Sequence, residues 1–125
     1  MVKTLGYLEG TNSEVLTDVI IEGHETLPLS NGWDNHGKNL THITTADGIA
    51  VIVGYLHKFT TLFTHQTMEE LFSAVRANKI PVLIIAPKDK HDKAHKLVAA
   101  AGIDYKFIDP ADLANEVHKI LGPAE

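Results

Sequence analysis

Two short β-branched runs, Ile49–Val53 and Val82–Ala86, are separated by 28 residues that carry a single amphipathic helical pattern. Each run is apolar at every position, the pattern of a strand buried on both faces of a parallel sheet. A connection of that length, with a helix inside it, cannot be a hairpin. It is the crossover of a β-α-β unit, which dictates parallel pairing. This constraint places the chain among α/β folds.

The remaining segments alternate in the same way. Lys3–Leu8 reads as a strand, and Ser13–Glu22 as a helix with Val15, Leu16, Val19 and Ile20 on one face and Gly23 as its stop. Glu25–Leu29 reads as a second strand, and Pro28 within it, which has no N–H to donate, places it at a sheet edge. Asn39–Ala46 carries a weak pattern consistent with a short helix. Ile49–Gly54 is the third strand, and Met68, Leu71, Phe72 and Val75 mark the next helix. Val82–Ala86 follows as the fourth strand, His91–Ala101 as a helix closed by Gly102, and Tyr105–Ile108 as the fifth strand. Asp109-Pro110 supplies an N-cap and an N1 proline for a last helix through Leu113, Val117, Ile120 and Leu121. Right-handed winding of these units predicts one α/β domain over residues 1–125. Its form is a three-layer sandwich on a five-stranded parallel sheet in the flavodoxin-like order 2-1-3-4-5. The switch point then lies between the first and third strands, flanked by the loops Glu9–Asn12 and Tyr55–Gln66.

Composition narrows the function classes. The chain lacks cysteine, which excludes disulfides, iron–sulfur clusters and thiolate zinc sites. No apolar run approaches the ~20 residues that span a bilayer. With no leader pattern at Met1-Val2-Lys3-Thr4, the expectation is a cytoplasmic protein without a membrane partner. The net charge is −5, and residues 1–50 hold two lysines against seven acids, which argues against a nucleic-acid footprint. The one basic cluster is Lys88, Lys90, Lys93 and Lys96, interrupted by Asp89 and Asp92. It reads as a solvated helix face, with a small phosphate site as the alternative. Among the eight histidines, His91 and His95 have i, i+4 spacing, but the flanking lysines oppose a cation, so no metal site is expected.

Several residues are candidates for chemistry at the switch point. Glu70 lies near the start of a helix beside the crevice, where a carboxylate could attack or stabilise an electron-poor sugar carbon. Thr67-x-x-Glu70 is equally a capping box. Gly10, Thr11 and Asn12 join the first strand to its helix, either as a polar cradle for a phosphate or sugar hydroxyl or as an ordinary turn capped by Asn12 or Ser13. Trp33, in a polar loop, could stack on a base or cover the edge of the second strand, and Tyr55 follows the third strand. Asp47 could bind a ribose hydroxyl or cap a local helical segment.

In this order the pieces resemble the nucleoside 2-deoxyribosyltransferase family and, more distantly, the nucleoside-monophosphate phosphoribohydrolases. Tyr7-Leu8-Glu9-Gly10 resembles the Tyr-Leu-x-Gly that ends their first strand, and Ala46-Asp47 the Ala-Asp before their third. Thr67-Met68-Glu69-Glu70 aligns with their Gly-Thr-x-x-Glu, and Lys79-Ile80-Pro81-Val82 with their Lys-Pro-Val. The resemblance covers residues 5–87 and implies a nucleoside or nucleotide ligand. It also implies an N-glycosyl hydrolase or transferase activity with Glu70 as the catalytic glutamate, Thr67 beside it, and no cofactor. The chain departs from the pattern at Gln66, where the family has glycine, and at Thr64, where it has aspartate. Gly10-Thr11-Asn12-Ser13-Glu14 also resembles the phosphate loop of flavodoxins, which makes an FMN-binding protein the alternative, with Trp33 and Tyr55 flanking the flavin. A non-catalytic oligomeric module is the third reading. Leu62 and Phe63, apolar in a polar loop, imply a homo-oligomer.

Overall fold

The computed structural model describes residues 2–31, 37–59, 68–99 and 102–122. The chain is α/β, a parallel sheet with helices on both faces, as the two apolar runs require. Its strands are β1 (Thr4–Tyr7), β2 (Glu25–Ser30), β3 (Lys38–Asn39), β4 (Ile49–Tyr55), β5 (Val82–Ile85) and β6 (Tyr105–Ile108). The helices are α1 (Ser13–Ile21), α2 (Leu56–Phe59), α3 (Met68–Leu71), α4 (Ser73–Ala77), α5 (His91–Val98) and α6 (Leu113–Leu121). Among the described residues, no helix is long and apolar enough to cross a membrane.

Strand number and order differ from expectation. Among the described residues the sheet has six strands in the order β3-β2-β1-β4-β5-β6, so β2 is not the edge. The added strand pairs only Leu29 with Lys38 and Ser30 with Asn39. Its pairing begins one residue past Pro28, so the missing proline N–H is not needed on that side. Gly37 makes the approach possible. It adopts φ +146°, and a Cβ there would lie 2.5 Å from the Pro28 carbonyl oxygen. Beyond β3, the segment expected as a short helix forms two 3₁₀ turns, Leu40–His42 and Thr45–Asp47.

Period-two alternation divides the core cleanly. On β4 and β5, Ile52, Val82 and Ile84 face one helical layer, where Phe59, Leu71, Val75 and Val98 meet them. Val51, Val53, Leu83 and Ile85 face the other layer, formed by Val15 and Val19 of α1 and Leu113, Val117 and Leu121 of α6. Fully burying each such side chain is worth ~1.5–3 kcal/mol. The two central strands therefore hold both layers in place.

Two helices end in the same motif with different residues. After α1, Gly23 donates its N–H to Ile20 and His24 donates to Val19, the paired bonds of a Schellman cap, with Gly23 at φ +92°. After α4, Lys79 donates to Arg76 and Ile80 to Val75, again the paired bonds, and Ile80 and Val75 share one buried cluster. Here a lysine occupies the left-handed position, at φ 53°.

A Cβ in that region costs ~1–2 kcal/mol, partly offset by the greater freedom glycine has when unfolded. Lys79→Gly should therefore stabilise the domain by about 1 kcal/mol, raising Tm by roughly 3–5 °C. Chemical denaturation measures it. A loss of stability would mean the lysine side chain contributes more than its backbone strain costs.

Candidate functional site

The carboxyl ends of β1, β2 and β4 meet where chain direction around the sheet reverses, the place open α/β sheets use for ligands. After β1 the chain turns at Gly10, whose φ of +87° needs glycine's freedom. Thr11 folds back, its N–H and hydroxyl both donating to the Leu8 carbonyl, the hydroxyl at 2.8 Å. Asn12 caps α1 by accepting the Glu14 N–H at 2.8 Å. Gly10, Thr11 and Asn12 thus build the turn between β1 and α1.

A polar network ties the neighbouring strand ends together. Asn31, fully buried just past β2, donates its side-chain amide to the Lys58 carbonyl at 2.8 Å. The Lys58 ammonium, its side chain largely buried, reaches Glu9 beyond β1 at 3.3 Å. This bridge depends on α2 folding back over β4, which Gly54 permits. A Cβ at Gly54 would lie 2.9 Å from both the Phe59 ring and Leu8. Phe59 itself packs on Phe72 with ring centroids 5.3 Å apart. Sequence reasoning missed this network, because Asn31 and Lys58 meet only through that fold-back.

The other expected residues are distributed around the sheet. Tyr55 ends β4, its ring 5.9 Å from that of His57. Glu70 is exposed on α3, which packs against α4 and the Leu40–His42 turn. Trp33 and Thr67 lie outside the described residues, as do Leu62 and Phe63. Asp47 precedes β4 and so enters it at the amino end, the opposite end from Tyr55. There it accepts the Lys38 ammonium on both oxygens at 2.8 Å and the Thr44 N–H at 2.8 Å. Gly10, Thr11, Asn12 and Tyr55 are therefore at one end of the sheet and Asp47 is at the other.

A hollow of about 350 Å³ opens at the carboxyl ends of β4 and β5. Its mostly apolar lining is Leu56, Ile85, Ala86, Pro87 and Ala94, together with Tyr55 and His57 at the end of β4 and Lys90, Lys93 and Leu97 of the α5 segment. Lys90, Lys93, Ala94 and Leu97 stand at i, i+3, i+4 and i+7, and that spacing is the sequence signal for this wall. Of the basic cluster, Lys90 and Lys93 converge here, whereas Lys88 lines a separate hollow between β6 and α6. His91 bonds the Ala86 carbonyl, His95 bonds the Tyr105 hydroxyl, and no metal-holding group occurs among the described residues.

No protein-family model, curated protein or solved structure matches this chain.

The Asp47 pair has a pH signature. The Lys38 ammonium first, and then the Thr44 N–H, hold the Asp47 carboxyl below the ordinary aspartate range. The folded state thus binds this proton less tightly than the unfolded chain does. The pair stabilises the fold above the unfolded value of ~3.9, and that contribution is lost as pH falls through the lower folded value. Asp47→Asn should lower stability at neutral pH and flatten the acid limb of the stability curve. Denaturation midpoints followed from neutral to acid pH check it, and an acid limb identical to wild type would show that the pair contributes nothing.

Proposed function

We propose that this protein binds a nucleoside or nucleotide at the carboxyl ends of β1, β2 and β4 and acts on its N-glycosidic bond through Glu70. One observation carries the binding reading. Of the four buried polar residues among those described, Thr11, Ser30 and Asn31 follow or end β1 and β2 at the switch point, in a core that is otherwise apolar. A concentration of polar groups at this place suits the hydroxyls of a sugar, and Tyr55 nearby offers a ring face for a base.

The catalytic reading rests on the Thr67-Met68-Glu69-Glu70 resemblance. A Glu70 carboxylate oxygen bonds to the anomeric carbon as the carbon–nitrogen bond breaks, and the base departs with a proton taken from water. Attack by water, or by a second base, then releases the sugar and restores the carboxylate. Leu62 and Phe63 carry the accompanying reading of a homo-oligomer.

The test is a thermal-shift screen against nucleosides and mononucleotides, with FMN included as the competing ligand, followed by chromatographic assay of base release. A ligand at 100 times its Kd adds ~2.7 kcal/mol of stability, a clear shift in a domain of this size. Glu70→Gln preserves length and capping capacity, so it should keep its melting temperature and ligand shift while base release falls roughly a hundredfold. A wild-type protein that neither shifts with nucleosides nor releases base ends this reading. A shift with FMN alone would replace it. Sedimentation of the wild type as a monomer at micromolar concentration would reject the oligomer.

A further inference from the structure

The hollow at the carboxyl ends of β4 and β5 combines two features that the nucleoside reading does not use. Its floor is apolar, and Leu97 on its wall is 53% exposed, an uncovered leucine at the opening. Lys90 and Lys93 line the same hollow from the α5 segment, and their side chains carry the positive charge nearest to it. Among the described residues, neither lysine has an ion-pair partner. Tyr55 and His57 line it as well, their rings inclined at 41° to each other.

We infer that this hollow is a binding site for an organic acid with a planar apolar body. The ring system enters between Tyr55 and Leu97, removing apolar surface from water on both sides. The carboxylate stays at the rim, where Lys90 and Lys93 supply charge-assisted hydrogen bonds. The volume of about 350 Å³ falls within the range of small-ligand pockets and accommodates a fused two-ring body. The rim charge selects for an anion, because a neutral ring compound fills the same floor but leaves both ammonium groups without a counter-charge. This inference is independent of Glu70 and of the buried polar residues at the ends of β1 and β2, although Tyr55 enters both readings.

Naphthoate is the probe, with naphthalenemethanol as its neutral counterpart and acetate as the head group alone. Titration of the full chain is followed by NMR, reading the Ala94 and Leu97 methyl signals to localise binding. Naphthoate should saturate those signals, naphthalenemethanol should bind roughly tenfold or more weakly, and acetate should leave them unmoved. Lys90→Gln combined with Lys93→Gln should bring naphthoate down to the level of the neutral compound, with naphthalenemethanol affinity unchanged. Leu97→Glu, at an exposed position that does not endanger folding, should weaken both ring compounds. Equal binding of the acid and the alcohol, naphthoate affinity indifferent to the lysine changes, or no perturbation at Ala94 and Leu97 would each overturn the inference. So would a mononucleotide that perturbs these methyl groups at lower concentration than naphthoate, and that result would leave the reading at β1 and β2 to its own base-release assay.

Discussion

Everything in this fold depends on burying both faces of β4 and β5. Neither strand has a polar residue between Ile49 and Val53 or between Val82 and Ile85, so a sheet with one wet face would expose half of these side chains. Two helical layers are the physical answer. α1 and α6 close one face, and α2 through α5 close the other. Connections between parallel strands must cross over the sheet, so the same segments that bury the core also bring every loop after a strand to one end. Polar chemistry is thereby confined to the rims. Asn31, Lys58 and Glu9 gather at the carboxyl rim, and Asp47 with Thr44 at the amino end of β4.

The parts legible in the sequence are those governed by period and by local caps. Alternation and continuous apolar runs marked β1, β2, β4, β5 and β6, Gly23 marked the end of α1, and Asp109-Pro110 marked the entry to the last helical segment, where Asp109 accepts the Ala111 N–H. β3 was not legible, because Lys38 and Asn39 carry no strand signal and pair only with the two residues beyond Pro28. The proline correctly signalled a lost donor, but a two-residue neighbour does not call on that donor. The helix expected to reach Ala101 is described as far as Val98, and the weak pattern at 39–46 became 3₁₀ turns stitched by Asn78, which bonds the Ile43 carbonyl.

The candidate site was legible to a similar degree and for similar reasons. Thr11 and Asn12 could be read as turn residues because their partners lie within a few positions. The Asn31–Lys58–Glu9 network joins residues brought together by three different strand ends, and no local spacing encodes it. Lys90, Lys93 and Leu97 fall between these cases. Their helical spacing was visible, but what they face was set by Leu56 and His57 arriving from across β4.

His24 extends the logic of the α1 cap to the scale of the whole chain. Held at the end of a Schellman turn, its ring accepts the Lys3 N–H on Nδ1, which leaves Nε2 to donate to the Gly122 carbonyl, while the Lys3 ammonium reaches the Ile120 carbonyl. One imidazole therefore separates the entry to β1 from the exit of α6, and the described fold is nearly a closed ring in space. In kinetic terms this clasp joins residues 98 positions apart, and so long a closure costs entropy before its contacts reward it. In topological terms the order in which the β-α units are strung is separable from the way they pack. A short link between Lys3 and Gly122, with the chain opened at the exposed Gly10, would thread the same sheet in a permuted order.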